Sequence, residues 1–302
     1  MTLYTHAESN TRKTWLYLTF FLAFIIALGW LISYLVGSYA ILVIAVIYSV
    51  LVSFFGYWYS DKIVLAISRA KPIKKEQNPE LYRLVENLCI TAGLPLPKIY
   101  IIDEAQPNAF ATGRNQEHGV IAVTRGLLER LERVELEGVI AHELSHIGNR
   151  DALLQTIVVI LVGVVVMITD LFFRIGFWGG FSSKRDSRDG GNLRVVMLIV
   201  ALLFAVLAPL FATLIRLAIS RKREFLADAS GALLTRYPEG LARALEKISQ
   251  DPNPLIAANN STAHLYIVSP FRGRRSTSFL TKLFMTHPPI EERIKVLRDM
   301  RV

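Results

Sequence analysis

The sequence has little cysteine and little charge. Its single cysteine, Cys89, excludes an intramolecular disulfide and a metal site built from a cysteine cluster. Charged residues make up only 20% of the 302 positions, against roughly 25% in soluble proteins. Apolar residues account for 52%, which excludes a disordered chain. The composition therefore indicates a membrane protein that also has a polar part.

Much of the apolar content lies in four runs. No charged residue occurs between 14 and 60, and two helices of about 20 residues each would fill this stretch, with a turn at Gly37-Ser38. A cleaved signal peptide is excluded because its apolar core has only about 7–15 residues. The third run covers 152–173, the fourth covers 195–215, and a polar loop lies between them. Whether these two runs cross the membrane, dip into it or pack on the polar part stays open.

These runs predict four parts: a transmembrane hairpin at 14–60, a polar segment at 61–151, a hydrophobic hairpin at 152–215 and a polar segment at 216–302. We expect a mainly α, multi-pass protein with four hydrophobic helices. The two polar segments would form one α+β domain of the gluzincin type, with a small sheet that includes strands at 98–103 and 120–124.

Basic residues predict the orientation of the chain. Lys and Arg precede the first run and follow the second and fourth, so the positive-inside rule predicts that the polar domain lies in the cytoplasm. The loop 174–194 is also basic and does not fit this arrangement. Attraction to anionic lipid headgroups explains the net charge of +9, so we expect a lipid bilayer and no nucleic acid as a partner.

A metal-binding pattern lies in a predicted helix at 134–150. It reads His142-Glu143-Leu144-Ser145-His146, and histidines four residues apart share one helical face and can bind one zinc ion. Glu143 is placed to polarise a water molecule at the metal rather than to bind the ion. The alternative is a surface helix that happens to carry two histidines.

Catalytic zinc has three protein ligands and one open position. Ala152 stands where the metzincin pattern requires a third histidine, which leaves a glutamate on a second helix as the common option. Glu224 could bind the metal, and Asp228, four residues later, could accept the free ring N–H of a ligand histidine. From these residues alone, a solvated helix with Arg–Glu pairs is the simpler explanation.

Together these motifs resemble the HtpX family of membrane-bound heat-shock proteases, part of a group of integral-membrane gluzincins that includes the CAAX prenyl proteases. The resemblance extends over nearly the whole chain, including HELSHIGNRD at 142–151 and REFLAD at 223–228. It implies one zinc ion per chain, with Glu143 as the general base and three ligands: His142, His146 and Glu224.

The resemblance also implies a function and a location. Members of the family cleave misfolded or damaged membrane and cytoplasmic proteins in stress-related quality control. They are multi-pass proteins of the bacterial plasma membrane, with the active site facing the cytoplasm. We therefore expect polypeptide substrates.

The segment 108–113 is similar to a second family motif. Taken alone, it is most simply a turn. Residues 108–112 could also form the edge strand of the small sheet, to which an extended substrate could be added through backbone hydrogen bonds that do not depend on sequence. The resemblance favours this substrate-binding role. The substrate-binding residues would be Asn108, Phe110, Ala111 and Thr112.

A third similar segment, Thr286-His-Pro-Pro289, precedes Arg293. The prolines suit the start of a helix, so a purely structural role is the alternative. The resemblance implies that a histidine here lies near the metal. We hypothesise that His287 stabilises the oxyanion of the reaction and that Arg293 positions it.

Other functions fit the sequence less well. A transporter or channel would need polar residues within its spans, whereas the first two runs have no charge. An intact Glu143 argues against a zinc-binding scaffold without catalysis, and a CAAX-type specialist would need more than four apolar runs. Two histidines and a carboxylate suit zinc, although another divalent ion stays open, as do the oligomeric state and the physiological substrates. His6, His118 and His264 are predicted to be exposed.

Overall fold

A computed structural model describes residues 3–180, 221–253, 255–256, 262–270 and 288–300. The fourth apolar run and most of the loop 174–194 lie outside the described residues.

The chain begins with two long helices, α1 (Leu3–Val36) and α2 (Tyr39–Trp58). Gly37 makes the turn between them with a φ of 72°, a conformation that glycine adopts without strain. The helices pack closely, since a Cβ at Gly29 would clash with Ala45. Ala7–Leu35 and Tyr39–Trp58 are long and apolar enough to cross a membrane. Two candidate spans therefore lie where the sequence predicts them.

A small mixed sheet follows, with strands β1 (Lys71–Pro72), β2 (Lys98–Ile102), β3 (Ala109–Thr112) and β4 (Val120–Thr124). Their order is β1-β2-β4-β3, with β2 parallel and β3 antiparallel to β4. The predicted strands are confirmed, and β3 lies at the edge of the described sheet.

Further helices surround the sheet: α3 (Ser60–Ile67), α4 (Pro79–Ala92), α5 (Arg125–Arg130), α6 (Arg133–Gly148), α7 (Asp151–Gly180), α8 (Arg221–Thr235), α9 (Pro238–Gln250) and α10 (Ile290–Arg298). One apolar core contains Ile121 and Val139 from the first polar segment and Leu241 and Leu297 from the second. Since burial of apolar surface is the main stabilising term in folding, the described parts of the two segments stabilise each other.

The third apolar run forms most of α7. Leu154 and Ile157 of α7 pack against Tyr17 and Phe21 of α1 in a second apolar cluster. The helix axes of α6 and α7 differ by 78°. The two helices therefore count as a third candidate span only if this bent pair crosses the membrane as one broken helix. Arg150 lies at the bend with a φ of 57°. The predicted count of four spans is therefore supported for two of them.

Candidate metal centre

The two histidines of the motif lie on α6, at its contact with α8. A capping box between Glu132 and Glu135 fixes the start of α6. The helices approach closely because α8 carries a glycine at the crossing: a Cβ on Gly231 would lie 3.0 Å from the backbone nitrogen of His142. This close crossing places Glu224, two turns before Gly231, beside the histidines.

The cluster of His142, His146 and Glu224 is compact and buried. The Nε2 atoms of the two histidines lie 3.2 Å apart. Oε2 of Glu224 lies 4.0 Å from Nε2 of His142, and Oε1 of Glu224 lies 3.7 Å from Nε2 of His146. Since zinc bonds to nitrogen and oxygen are about 2.0–2.2 Å long, these three groups can share one ion.

Glu143 lies next to the cluster and is itself buried. Neither of its carboxylate oxygens makes a well-formed hydrogen bond to a residue that the structure describes. Burial raises the pKa of Glu143 to about 7. A buried carboxylate with this raised pKa could take a proton from a water molecule at the open position of a metal. The residues present therefore fit a catalytic zinc ion.

Asp228 and Arg293 support His142 from behind. Asp228 Oδ1 lies 2.9 Å from Nδ1 of His142, the ring nitrogen that faces away from the cluster. Burial would raise the pKa of Asp228, but Arg293 outweighs it and the pKa is lowered, so Asp228 stays ionised. Nη1 of Arg293 also lies 3.7 Å from a carboxylate oxygen of Glu224. Arg293 therefore contacts both Asp228 and Glu224.

His146 has a carboxylate partner that the sequence analysis missed. Asp151 Oδ2 lies 3.4 Å from Nδ1 of His146. Burial lowers the pKa of His146, but the hydrogen bond to Asp151 and the charge of Glu224 raise it overall, to about 9. The signal in the sequence was an acidic residue directly after the motif helix.

The edge strand β3 runs beside the motif helix, and its side chains are all buried. The ring of Phe110 packs edge-on against Tyr266, and the Thr112 hydroxyl contacts that of Thr156 at 2.9 Å. These side chains are engaged in the fold, so the backbone is the part of β3 that another strand could use.

Asn108 and the segment 262–270 cover one end of this edge. The side-chain Nδ2 of Asn108 donates to the Val268 carbonyl at 2.9 Å, and Val268 N–H approaches the side-chain Oδ1 of Asn108 at 3.4 Å. Ile267 N–H donates to the Ala109 carbonyl at 3.0 Å. Thr124 N–H donates to the Asn108 carbonyl, so by alternation the N–H and C=O of Ala111 point away from β4.

Two histidine predictions can be compared with the structure, whereas the side chains of His6 and His287 lie outside the description. His264 is 2% exposed, so the prediction that it is exposed is wrong; the 3-10 turn Ala263–Leu265 that carries it is buried. His118 is exposed, as predicted, and its ring contacts Asn115 and Arg114. His287 lies outside the described residues.

Comparisons with known proteins agree with this geometry. The profile of Peptidase family M48 matches residues 75–301. A protein named Protease HtpX homolog from Thermoanaerobacter pseudethanolicus is 45% identical over 99% of this chain and 98% of its own length. One of the same name from Pyrococcus furiosus is 48% identical over 95% and 96%.

A solved structure shares the fold. The crystal structure of S. mikatae Ste24p matches with a TM-score of 0.50 and 19% identity, covering 95% of this chain and 67% of that one. The profile match and the two relatives show that the chain belongs to Peptidase family M48, as a membrane metalloprotease of the HtpX type.

Proposed function

We propose that the chain is a zinc-dependent endopeptidase that cleaves misfolded or damaged membrane and cytoplasmic proteins in stress-related quality control. The observation that carries the proposal is the buried cluster of His142, His146 and Glu224, with the buried carboxylate of Glu143 beside it. Two histidines and a glutamate form a catalytic zinc ligand set that leaves one position open. A bound zinc ion would supply Lewis acidity for the scissile carbonyl and for a water molecule.

Glu143 acts as general base and then as general acid. Its carboxylate accepts a proton from the attacking water as the new C–O bond forms. It then returns the proton to the amide nitrogen as the C–N bond breaks. The raised pKa, about 7, suits both steps near neutral pH. His287 stabilises the oxyanion in this scheme.

Substrates bind as an extended strand along the free part of the β3 edge. The outward C=O of Ala111 would accept from such a strand, and its outward N–H, which also faces the Glu143 carboxylate, would donate to it. Phe110 and Thr112 flank this position. Because backbone hydrogen bonds do not depend on side chains, this mode suits unfolded polypeptides of varied sequence. Asn108 contributes by holding Val268 at the end of the edge.

The protein works as a multi-pass protein of the bacterial plasma membrane. The two candidate spans near the N-terminus support membrane insertion. Basic residues on either side of this hairpin support a cytoplasmic active site, by the positive-inside rule.

Purification of the full chain in detergent, followed by metal analysis and a casein-cleavage assay, tests the proposal. We expect one zinc ion per chain, loss of cleavage after chelation, and recovery when zinc is added back. Cleavage that survives complete removal of the metal would overturn the proposed function.

A further inference from the structure

The N-terminal helix reaches the metal centre from the start of the first candidate span. Asn10 of α1 is only 3% exposed. Its amide nitrogen donates to Asp151 Oδ1 at 2.7 Å and to the Asn149 carbonyl at 3.0 Å. The side-chain oxygen Oδ1 of Asn10 accepts a hydrogen bond of 3.2 Å from Arg223 Nη1. One buried amide thus joins α1, the bend between α6 and α7, and the first turn of α8.

Asp151 connects this amide to a metal ligand. One carboxylate oxygen accepts from Asn10, and the other lies 3.4 Å from Nδ1 of His146. A carboxylate that accepts the free ring N–H of a ligand histidine fixes its tautomer and its ring orientation, leaving Nε2 for the metal. We propose that Asn10 is a positioning residue for His146, acting through Asp151; the inference rests on the proposed metal site.

Arg223 could compete with Asn10 for the Asp151 carboxylate. Arg223 Nε lies 3.9 Å from the same Asp151 oxygen that accepts from Asn10. Without the amide, the carboxylate is free to turn toward the guanidinium and away from His146. Asn10 therefore holds Oδ1 of Asp151, which leaves Oδ2 directed at His146.

A second contact ties α1 to the same corner. Arg150, the residue at the bend, donates from Nη1 to the Thr11 hydroxyl at 3.0 Å. The carboxylate partners of the two ligand histidines are therefore held by different elements. Arg293 of α10 binds Asp228, the partner of His142, whereas Asn10 of α1 binds Asp151, the partner of His146. It follows that zinc affinity depends on α1 being in place.

The test is zinc affinity of the full chain in detergent, measured by competition with a chromophoric chelator, together with thermal unfolding of the metal-free protein. Loss of an outer partner of a ligand histidine weakens metal binding by about 10- to 100-fold, so Asn10→Ala should bind zinc about tenfold more weakly than the wild type. Arg12→Ala is the matched control, because Arg12 lies on the same helix and is exposed. It should retain wild-type affinity.

A double variant separates positioning from general destabilisation. In the combination of Asn10→Asp with Asp151→Asn, donor and acceptor exchange places, so the hydrogen bond between the two positions can form again. This variant should bind zinc more tightly than either single variant. Asn10→Ala with wild-type affinity, with or without a lower unfolding temperature, would overturn the inference. A double variant no tighter than the single ones would overturn it too. Absence of zinc binding in the wild type would instead overturn the proposed function itself.

Discussion

Arg293 donates two hydrogen bonds to Asp228, of 2.8 Å from Nε and 2.7 Å from Nη2, and both side chains are fully buried. Nη1 of the same guanidinium donates to the Ile267 carbonyl at 2.9 Å. The Arg293 side chain of α10 therefore connects Asp228, the partner of His142, with the segment 262–270 at the end of the β3 edge.

Replacing Arg293 with alanine should strongly destabilise the protein and weaken metal binding. The change leaves Asp228 as a buried charge without its main partner, and breaking a buried pair in this way costs about 3–5 kcal/mol. Thermal or denaturant unfolding in detergent measures the loss. Arg298→Ala on the same helix is the control, since exposed ion pairs contribute only about 0–1 kcal/mol. Equal stability of the two variants would contradict the prediction.

Glu143→Gln should keep the metal and lose cleavage. Glutamine preserves the shape of the side chain but cannot accept the proton of the attacking water, and general base catalysis contributes about 10²- to 10⁴-fold. Zinc content and casein cleavage are measured on the same preparation. Ser145→Ala in the same motif is the control, because the Ser145 hydroxyl donates back to the Ala141 carbonyl of the same helix. Full activity of Glu143→Gln would mean that another group acts as the base.

The sequence was most informative where the geometry is local. His142 and His146 could be placed together because a helix repeats every 3.6 residues. For Glu224, the residues alone favoured a solvated helix over metal binding until the resemblance was considered. The crossing that brings Glu224 to the histidines depends on Gly231.

Contacts that depend on a bend of the chain or that join distant parts of it could not be predicted from helical periodicity. Asp151 reaches His146 only because the chain bends by 78° and Arg150 adopts a left-handed conformation. Asn10 lies 141 residues away from Asp151. No periodicity in a sequence encodes such a contact, and an asparagine at the start of an apolar helix is most simply a solvated residue.

Asn108→Ala should lower stability as well as affect the β3 edge. The change removes both hydrogen-bonding groups that hold the Val268 backbone, and a buried polar group left unsatisfied costs about 1–3 kcal/mol. Asn87→Ala on α4 is the control, because Asn87 is exposed, so its effect on stability should be smaller. A higher KM without any change in the unfolding temperature would instead indicate that the Asn108 side chain touches the substrate.

Cys89 should be inert in the folded protein and should report unfolding of the protease domain. Burial in the apolar core raises the pKa of its thiol to about 11. At pH 8 only about one thiol in a thousand is therefore ionised, and the thiolate is the nucleophile. Alkylation by iodoacetamide should follow thermal unfolding, since an exposed thiol has a pKa of about 8.5. Rapid labelling at pH 8 well below the unfolding temperature would contradict this burial.

Gly231→Ala should weaken metal binding without altering any ligand. The new Cβ would lie 3.0 Å from the His142 nitrogen and 3.2 Å from its Cα, and both atoms belong to the backbone, so α8 must shift away from α6. Overpacking of this kind costs about 1–3 kcal/mol, and the shift moves Glu224 away from the histidines.

Gly148→Ala is the matched control for this change. Its Cβ would meet only the Leu94 side chain, at the ordinary contact distance of 3.6 Å. Chelator competition on both variants compares their zinc affinities. Because glycine is a poor helix former, both substitutions should raise the intrinsic stability of their helices. The two variants therefore differ in the steric contact that the new Cβ makes at position 231. Weaker zinc binding in Gly231→Ala alone would show that the close crossing of the two helices sets the geometry of the third ligand.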